Sequence, residues 1–141
     1  MSNNHAYVWL VMCGDRYVPG VITSAYSVKK TNPKADLVVM VTPDVTQESV
    51  TQISKLAKVV TVDYITFNGK FNHVDPLGKY SWINLSYTKW RCLGLPYDKI
   101  FMLDTDIIVT KNIDEVFLYP APAGVFQQQK PLHNYTLARY L

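Results

Sequence analysis

The chain is poor in the residues that carry the commonest cofactor signatures. It has two cysteines, Cys13 and Cys92, and its histidines, His5, His73 and His133, share no ligand spacing. That excludes a Cys/His zinc pattern, and neither thiol lies near a His–Asp pair. Glycine is sparse, and Gly14 stands alone after the first apolar run, so neither GxGxxG nor GxxxxGK[ST] is present. No apolar stretch approaches the ~20 residues of a membrane span. The start, Met1-Ser-Asn-Asn-His5, has no basic segment, and Tyr7–Cys13 is too short for the apolar core of a leader. These absences predict a cytoplasmic chain with reduced thiols. The sequons at Asn84 and Asn134 would then carry no glycan. Charged residues make up only 18%, and the net charge of +3 comes without a basic run. Neither nucleic acid nor a membrane surface is implied as a partner, whereas small anions remain open.

What the chain does have is apolar patterning. At 141 residues with 48% hydrophobic content it is one domain or part of one, with enough apolar residues for a real core. Ala6–Met12, Leu37–Val41 and Val59–Val62 read as buried strands. Between them lie two helical patterns. One starts at Pro19-Gly20, with Val21, Ile22, Ala25 and Val28 on one face. The other follows Thr42–Thr46, capped by Thr46 or Asp44, with Val50, Ile53, Leu56 and Ala57 inward. Strand alternating with helix predicts an α/β fold of βαβ units around a mostly parallel sheet. Phe67–Tyr80 has no period and reads as a loop. Trp82–Leu95 reads as a helix with Ile83, Tyr87, Trp90 and Leu93 or Leu95 facing the sheet. Asn112 is placed to cap Ile113–Leu118, Gly124–Phe126 reads as a short strand, and a polar tail follows from Gln127.

The pivotal stretch is Ile100–Val109, an apolar run interrupted by Asp104-Thr105-Asp106. Read as a strand of a parallel sheet, it delivers two carboxylates at the strand end where such folds bind ligands. In extended backbone, residues i and i+2 face the same way. Two converged carboxylates repel unless a proton, base or cation intervenes, and a hard divalent ion that also holds phosphate oxygens is the simplest neutraliser. The plainer reading is a turn, where Asp is common because its side chain bonds nearby backbone. Tyr17, just past the first strand, could stack on a base or simply pack, as most of the ten tyrosines do. Lys89 could reach phosphate or sit in solvent.

Taken together, several pieces resemble the amino-terminal half of family 8 glycosyltransferases, the glycogenin-like enzymes of GT-A (Rossmann-like) fold. They are Ala6–Leu10 with Gly14-Asp-Arg-Tyr-Val-Pro-Gly20, Asp36–Val45, Tyr87-Thr-Lys-Trp90, Tyr97–Asp106 and Asn112–Phe117, in that order. The wording is most similar to the baculovirus branch. The resemblance implies a donor-binding half over residues 1–126, followed by the tail at 127–141. It implies a UDP-sugar donor, Mn²⁺ (or Mg²⁺), retention at the anomeric carbon and an unknown acceptor. By position it assigns Asp104 and Asp106 to the metal-binding DxD, with Thr105 offering a backbone contact to the nucleotide. It assigns Tyr17 to stacking on uracil, Leu10, Met12 and Leu85 to lining the base, and Lys89 to the diphosphate–sugar region. The polar residue that the family carries after the first strand is replaced by Cys13 or Gly14. The family's third metal ligand, a His in a carboxy-terminal HxxGxxKPW-like segment, has no counterpart, because no HxxG follows His133. A fragment, a truncated chain or a shortened member is expected. Two other readings stay open: a donor-binding remnant without turnover, and a haloacid-dehalogenase-type phosphotransferase with Asp104 as nucleophile and Asp106 as general acid.

Overall fold

A computed structural model describes residues 4–66 and 81–124. Its centre is β1 (His5–Val11), whose residues from Ala6 onward are buried. β1 pairs in parallel with β2 (Asp36–Val41) on one side and β4 (Lys99–Met102) on the other, while β3 (Lys58–Thr61) extends the sheet beyond β2. The order β3-β2-β1-β4 is wholly parallel. Both faces of β1 are covered, which is why its sequence is a continuous apolar run rather than an alternation. Tyr7, Trp9 and Val11 point to one face, into a core with Val39, Val41, Ile53 and Phe117. Ala6, Val8 and Leu10 point to the other, with Val38, Met40 and Cys92.

α1 (Val18–Lys30) returns the chain from β1 to β2 and buries Val21, Ala25 and Val28 against the first face, the stripe predicted from its spacing. Pro19 sits in its first turn, where the missing N–H is not needed. Inside this face the Trp9 indole N–H donates to Ser24 Oγ at 2.9 Å, so a buried polar pair is satisfied internally. α2 (Gln47–Ser54) is capped by Thr46, whose hydroxyl accepts from the Ser49 N–H at 3.3 Å. Of the predicted stripe, Ile53 and Ala57 are buried, and Ala57 lies just past the helix end.

Two expectations are corrected. The segment 81–94 (Ser81–Gly94) is helical with 3-10 geometry, but its inward residues are Thr88 and Cys92, while Trp90 and Leu93 are 61% and 71% exposed and Tyr87 is also exposed. The aromatic residues misled the phase. Thr88 can be buried because its hydroxyl accepts the Ile65 N–H at 3.0 Å, so an apolar side chain is not required there. The second correction is that β4 stops at Met102. Leu103 adds one more ladder bond, to Val8 O at 2.8 Å, and then the chain leaves the sheet. Residues 105–112 run along α1 instead. The Val109 N–H donates to Ser27 Oγ at 3.0 Å, and Asn112 Nδ2 donates to the Thr31 carbonyl at 3.3 Å. Ile107 and Ile108 are therefore exposed rather than part of a strand. The expected loop at 67–80, the short strand at Gly124–Phe126 and the tail lie wholly or largely outside the described residues.

At the other end of the sheet, Asp114 ties three elements together. It accepts from the Tyr7 hydroxyl at 2.8 Å and from the Lys34 N–H at 2.9 Å. Asn112 accepts the Asp114 N–H at 2.9 Å and donates back to its carboxylate. The N-cap of the 3-10 turn Asp114–Leu118 is Ile113, with no side-chain cap bond, so Asn112 braces the approach to the turn one residue before the cap instead of capping it as expected. Partial burial pushes the Asp114 carboxyl up, but the hydrogen bonds from Lys34, Tyr7 and Asn112 outweigh it and hold the pKa below the usual carboxylate value. Tyr7 is fully buried, with Phe117 packed edge-on at 5.1 Å. Burial, followed by the bond to Asp114, raises its phenol pKa. Asp114→Ala is expected to destabilise by ~1–3 kcal/mol, because a buried hydroxyl loses its acceptor. Tyr7→Phe, which removes the buried hydroxyl itself, is expected to cost less. With a depressed folded pKa, the Asp114 contribution is complete above the unfolded value of about 3.9 and drains away as pH falls toward the lower folded value. Urea unfolding of Asp114→Asn between pH 3 and 6, on the order of the carboxylate range, should accordingly show a flatter acid limb than the parent.

Candidate functional site at the carboxyl ends of strands β1 and β4

From β1 the chain turns one way, through α1 to β2, while β4 lies on the opposite side of β1. The carboxyl ends of β1 and β4 thus flank a topological switch point, the place where open α/β sheets bind ligands. The described residues with chemistry to offer gather here.

The exit of β1 is unusual backbone. Cys13 is left-handed (φ 61°, ψ 48°), and Gly14 follows at φ 75°. A 3-10 turn, Gly14–Tyr17, then runs directly into α1. Tyr17 is the residue before α1 and is 43% exposed, with the Arg16 guanidinium 5.8 Å from its ring centre. The turn is fastened from below. The Asp44 carboxylate accepts the Gly14 N–H at 2.9 Å, and Asp15 accepts both the N–H and the hydroxyl of Thr46, at 2.9 and 2.7 Å. Those two donors from Thr46 lower the Asp15 pKa. For Asp44, burial acts upward, but hydrogen bonds from Thr42, Tyr64 and Gly14 prevail and lower it.

The exit of β4 is a turn closed by the Ile107 N–H donating to the Asp104 carbonyl at 3.2 Å. Asp104 and Asp106 stand at its first and third positions rather than on an extended strand, which corrects the geometry expected from the run Ile100–Val109. The plainer expectation, a turn that suits Asp, is the one the backbone adopts, just past the end of β4. Lys89, from the 3-10 segment, places its ammonium on Asp104 Oδ1, with both side chains about half exposed at 46% and 45%. Asp106 is exposed. The α1 and β4 exits also touch: a Cβ at Gly20 would lie 2.8 Å from the Thr105 carbonyl oxygen.

The structure therefore brings Lys89 and Asp104 into contact and sets Thr105 against the first turn of α1, three residues after Tyr17. Leu10 is buried in the second core face together with Cys92, and Met12 is half-buried against the same cluster. Leu85 is half-buried on the segment that carries Lys89. The sequence alone did not single out Gly20, Asp15 and Tyr64 as part of this region, and treated Asp44 only as a helix cap. The Thr42-Pro-Asp44 turn was the available signal for Asp44. Open depressions of about 640 and 490 Å³ lie elsewhere, along the amino ends of β2 and β3 and beside the carboxy-terminal half of α1. Neither is lined by these groups.

As donors for a divalent cation these residues form a partial set. Among the described residues, no three His, Cys, Asp or Glu side chains converge. Two carboxylates in one turn nevertheless supply hard oxygen donors. A cation such as Mg²⁺ typically takes one or two protein carboxylates and fills its remaining positions with water and phosphate oxygens. Asp104 and Asp106 fit that pattern. In this structure Asp104 is paired with the Lys89 ammonium, a partner that a bound cation would have to displace or share.

Comparison with known proteins bears on the family of the chain. The model of the glycosyl transferase family 8 matches residues 9–127. An uncharacterized protein, R707, of Acanthamoeba polyphaga mimivirus is 33% identical over 89% of this chain and 44% of its own length. UDP-glucuronate:xylan alpha-glucuronosyltransferase 2 of Arabidopsis thaliana is 32% identical over 82% of this chain and 18% of its own. Glycogenin-2 of Homo sapiens is 29% identical over 95% of this chain and 29% of its own. The chain thus spans less than half the length of these curated relatives. The match takes in both strand exits and favours the glycosyltransferase resemblance over the phosphotransferase reading. With its parallel α/β sheet and this match over most of its length, the chain belongs to glycosyl transferase family 8.

Proposed function

We propose that this chain is the donor-binding half of a glycosyltransferase that takes a UDP-sugar with Mn²⁺ or Mg²⁺ and passes the sugar to an acceptor with retention. The observation that carries the reading is the contact of Lys89 with Asp104 at the β4 exit, beside the β1 exit that presents Tyr17. In this reading Tyr17 stacks on the base, and Leu10, Met12 and Leu85 shape the apolar floor beneath it. The Thr105 backbone contacts the nucleotide, and Asp104 and Asp106 hold the cation. A bound cation supplies Lewis-acid relief of the negative charge that grows on the departing diphosphate. The Lys89 ammonium, beside Asp104, would add its own positive charge toward the phosphates. The residue classes and the family match support these roles. The fold has no helix long and apolar enough to cross a membrane among the described residues, and we place the chain in the cytoplasm.

A second reading is kept beside it for these residues on their own. It holds that the chain binds the donor without turning it over. Calorimetry with UDP and Mn²⁺, paired with a UDP-sugar hydrolysis assay, separates the two. Uptake with turnover supports the enzyme, and uptake without it supports the binding remnant. No uptake of UDP in the presence of Mn²⁺ overturns both. Tyr17→Ala is expected to weaken UDP about tenfold, within the ~1–3 kcal/mol of one base–aromatic stack.

A further inference from the structure

Cys13 and Gly14 form the exit of β1, and neither supplies a side-chain cap bond to fix the turn that follows. The structure shows what stands there instead. The Tyr64 hydroxyl, from the segment after β3, accepts the Cys13 N–H at 2.8 Å and donates to the Asp44 carboxylate at 2.9 Å. Asp44, from the segment after β2, accepts the Gly14 N–H at 2.9 Å and the buried Thr42 hydroxyl at 2.5 Å. Two consecutive residues of the β1 exit thus give their N–H groups to one bonded pair of side chains drawn from two other strand exits. These are the residues in left-handed conformation. For Cys13, which has a Cβ, that conformation carries a steric cost that glycine avoids. A strained residue of this kind persists where its surroundings over-determine it. Nothing in the local sequence of Met12–Asp15 does so; the long-range pair does.

We infer that Asp44 and Tyr64 are positioning residues for nucleotide binding: together they hold Cys13 and Gly14 left-handed and thereby fix the direction in which the 3-10 turn delivers Tyr17. The inference rests on the donor-binding reading above. Neither side chain need touch the ligand. Their work is to keep the β1 exit from relaxing to the ordinary right-handed or extended backbone, which would redirect every residue up to Val18. Asp15 fastens the same turn to Thr46 at the start of α2. The start of the turn is therefore anchored through three consecutive residues, and of these Cys13 carries the strained backbone.

The test uses the full chain, with UDP and Mn²⁺ as the probe. Tyr64→Phe and Asp44→Ala are expected to weaken UDP binding about tenfold while the thermal midpoint of Tyr64→Phe stays close to the parent's. Asp44→Asn, which keeps an acceptor for the Gly14 N–H, is expected to retain affinity within about threefold. Amide hydrogen exchange without ligand gives an independent reading. In Tyr64→Phe the Gly14 amide, whose own acceptor is intact, should exchange several-fold faster because the clamp has lost its second member. Parental affinity in both Tyr64→Phe and Asp44→Ala, or an unchanged Gly14 exchange rate in Tyr64→Phe, overturns the inference. If Tyr17→Ala binds UDP like the parent, the base-stacking reading fails, and accelerated exchange at Gly14 still establishes the clamp on the β1 exit.

Discussion

Asp106→Ala is expected to lower the proposed metal-dependent UDP-sugar turnover by ~10²–10³-fold or more, about the 3–4 kcal/mol that follows removal of one preorganised electrostatic contact at a reacting centre. It does so without loss of fold. Asp106 is exposed on a surface turn, where substitutions away from special features change stability by only about 0.5 kcal/mol. Loss of function at constant stability is therefore the signature to seek. Asp104→Asn should be equally damaging to turnover but less clean, because it also removes the charge that Lys89 sits on. The measurement is the initial rate of UDP release across a Mn²⁺ series, with thermal unfolding in parallel. Where the chain binds without turnover, the same loss is read in the Mn²⁺ dependence of UDP affinity. Undiminished Mn²⁺ dependence in Asp106→Ala would count decisively against the metal assignment.

Gly20→Ala is the second large effect, and it falls on function, because the stabilisation that helix propensity alone dictates is offset. Within a helix, Ala is favoured over Gly by ~1 kcal/mol, so a substitution in α1 would ordinarily stabilise. Here the new Cβ meets the Thr105 carbonyl oxygen at 2.8 Å, and the obstruction is backbone rather than the end of a flexible side chain. Either α1 or the Asp104–Ile107 turn has to move. α1 is pinned by Val18, Val21, Ala25 and Val28 in the core. The turn, by contrast, is exposed at Asp106 and Ile107, so the displacement falls on it. Overpacking of this kind costs ~1–3 kcal/mol, which roughly cancels the propensity gain. A shift of the metal-holding turn by about 1 Å is the kind of misplacement that lowers turnover ~10²-fold. The expected result is a thermal midpoint within a few degrees of the parent, together with turnover, or Mn²⁺-dependent UDP affinity, reduced on that scale. Gly20→Val should be worse on both counts. A variant as active as the parent would mean that the turn tolerates displacement and that its position is not what matters.

Much of the architecture was legible because both faces of this sheet are covered. Ala6–Met12 and Leu37–Val41 are uninterrupted apolar runs, and in a chain with helical stripes between them that pattern has few solutions other than parallel βαβ units. The stripe of α1 was readable for the same reason. The pattern failed where burial is supplied by something other than a strand ladder or an apolar side chain. Ile107 to Val109 look like the continuation of β4, but the Val109 N–H is taken by a serine on α1, an arrangement that periodicity does not report. In the segment 81–94, a threonine with a long-range donor displaced the expected aromatics from the inner face. In the candidate site, Asp104 and Asp106 stood out as a carboxylate pair interrupting an apolar run, whereas Lys89 and Tyr17 were favoured only through the family resemblance. Asp44, Tyr64 and Gly20 did not stand out. Their roles depend on contacts with residues 30, 51 and 85 positions away in the chain, and such pairings exist only once the sheet is assembled.

One consequence follows from the way residues 105–112 lie along α1, touching it at Gly20, Ser27 and Thr31. The helix that begins just after Tyr17 is also the bed on which the acidic turn rests, so in the proposed reading base recognition and cation holding share a single mechanical member. A perturbation that rocks this rod, even one buried at Val28 far from any ligand, would tilt both ends of the donor in concert. Losses in the two affinities should then track one another across a series of such changes.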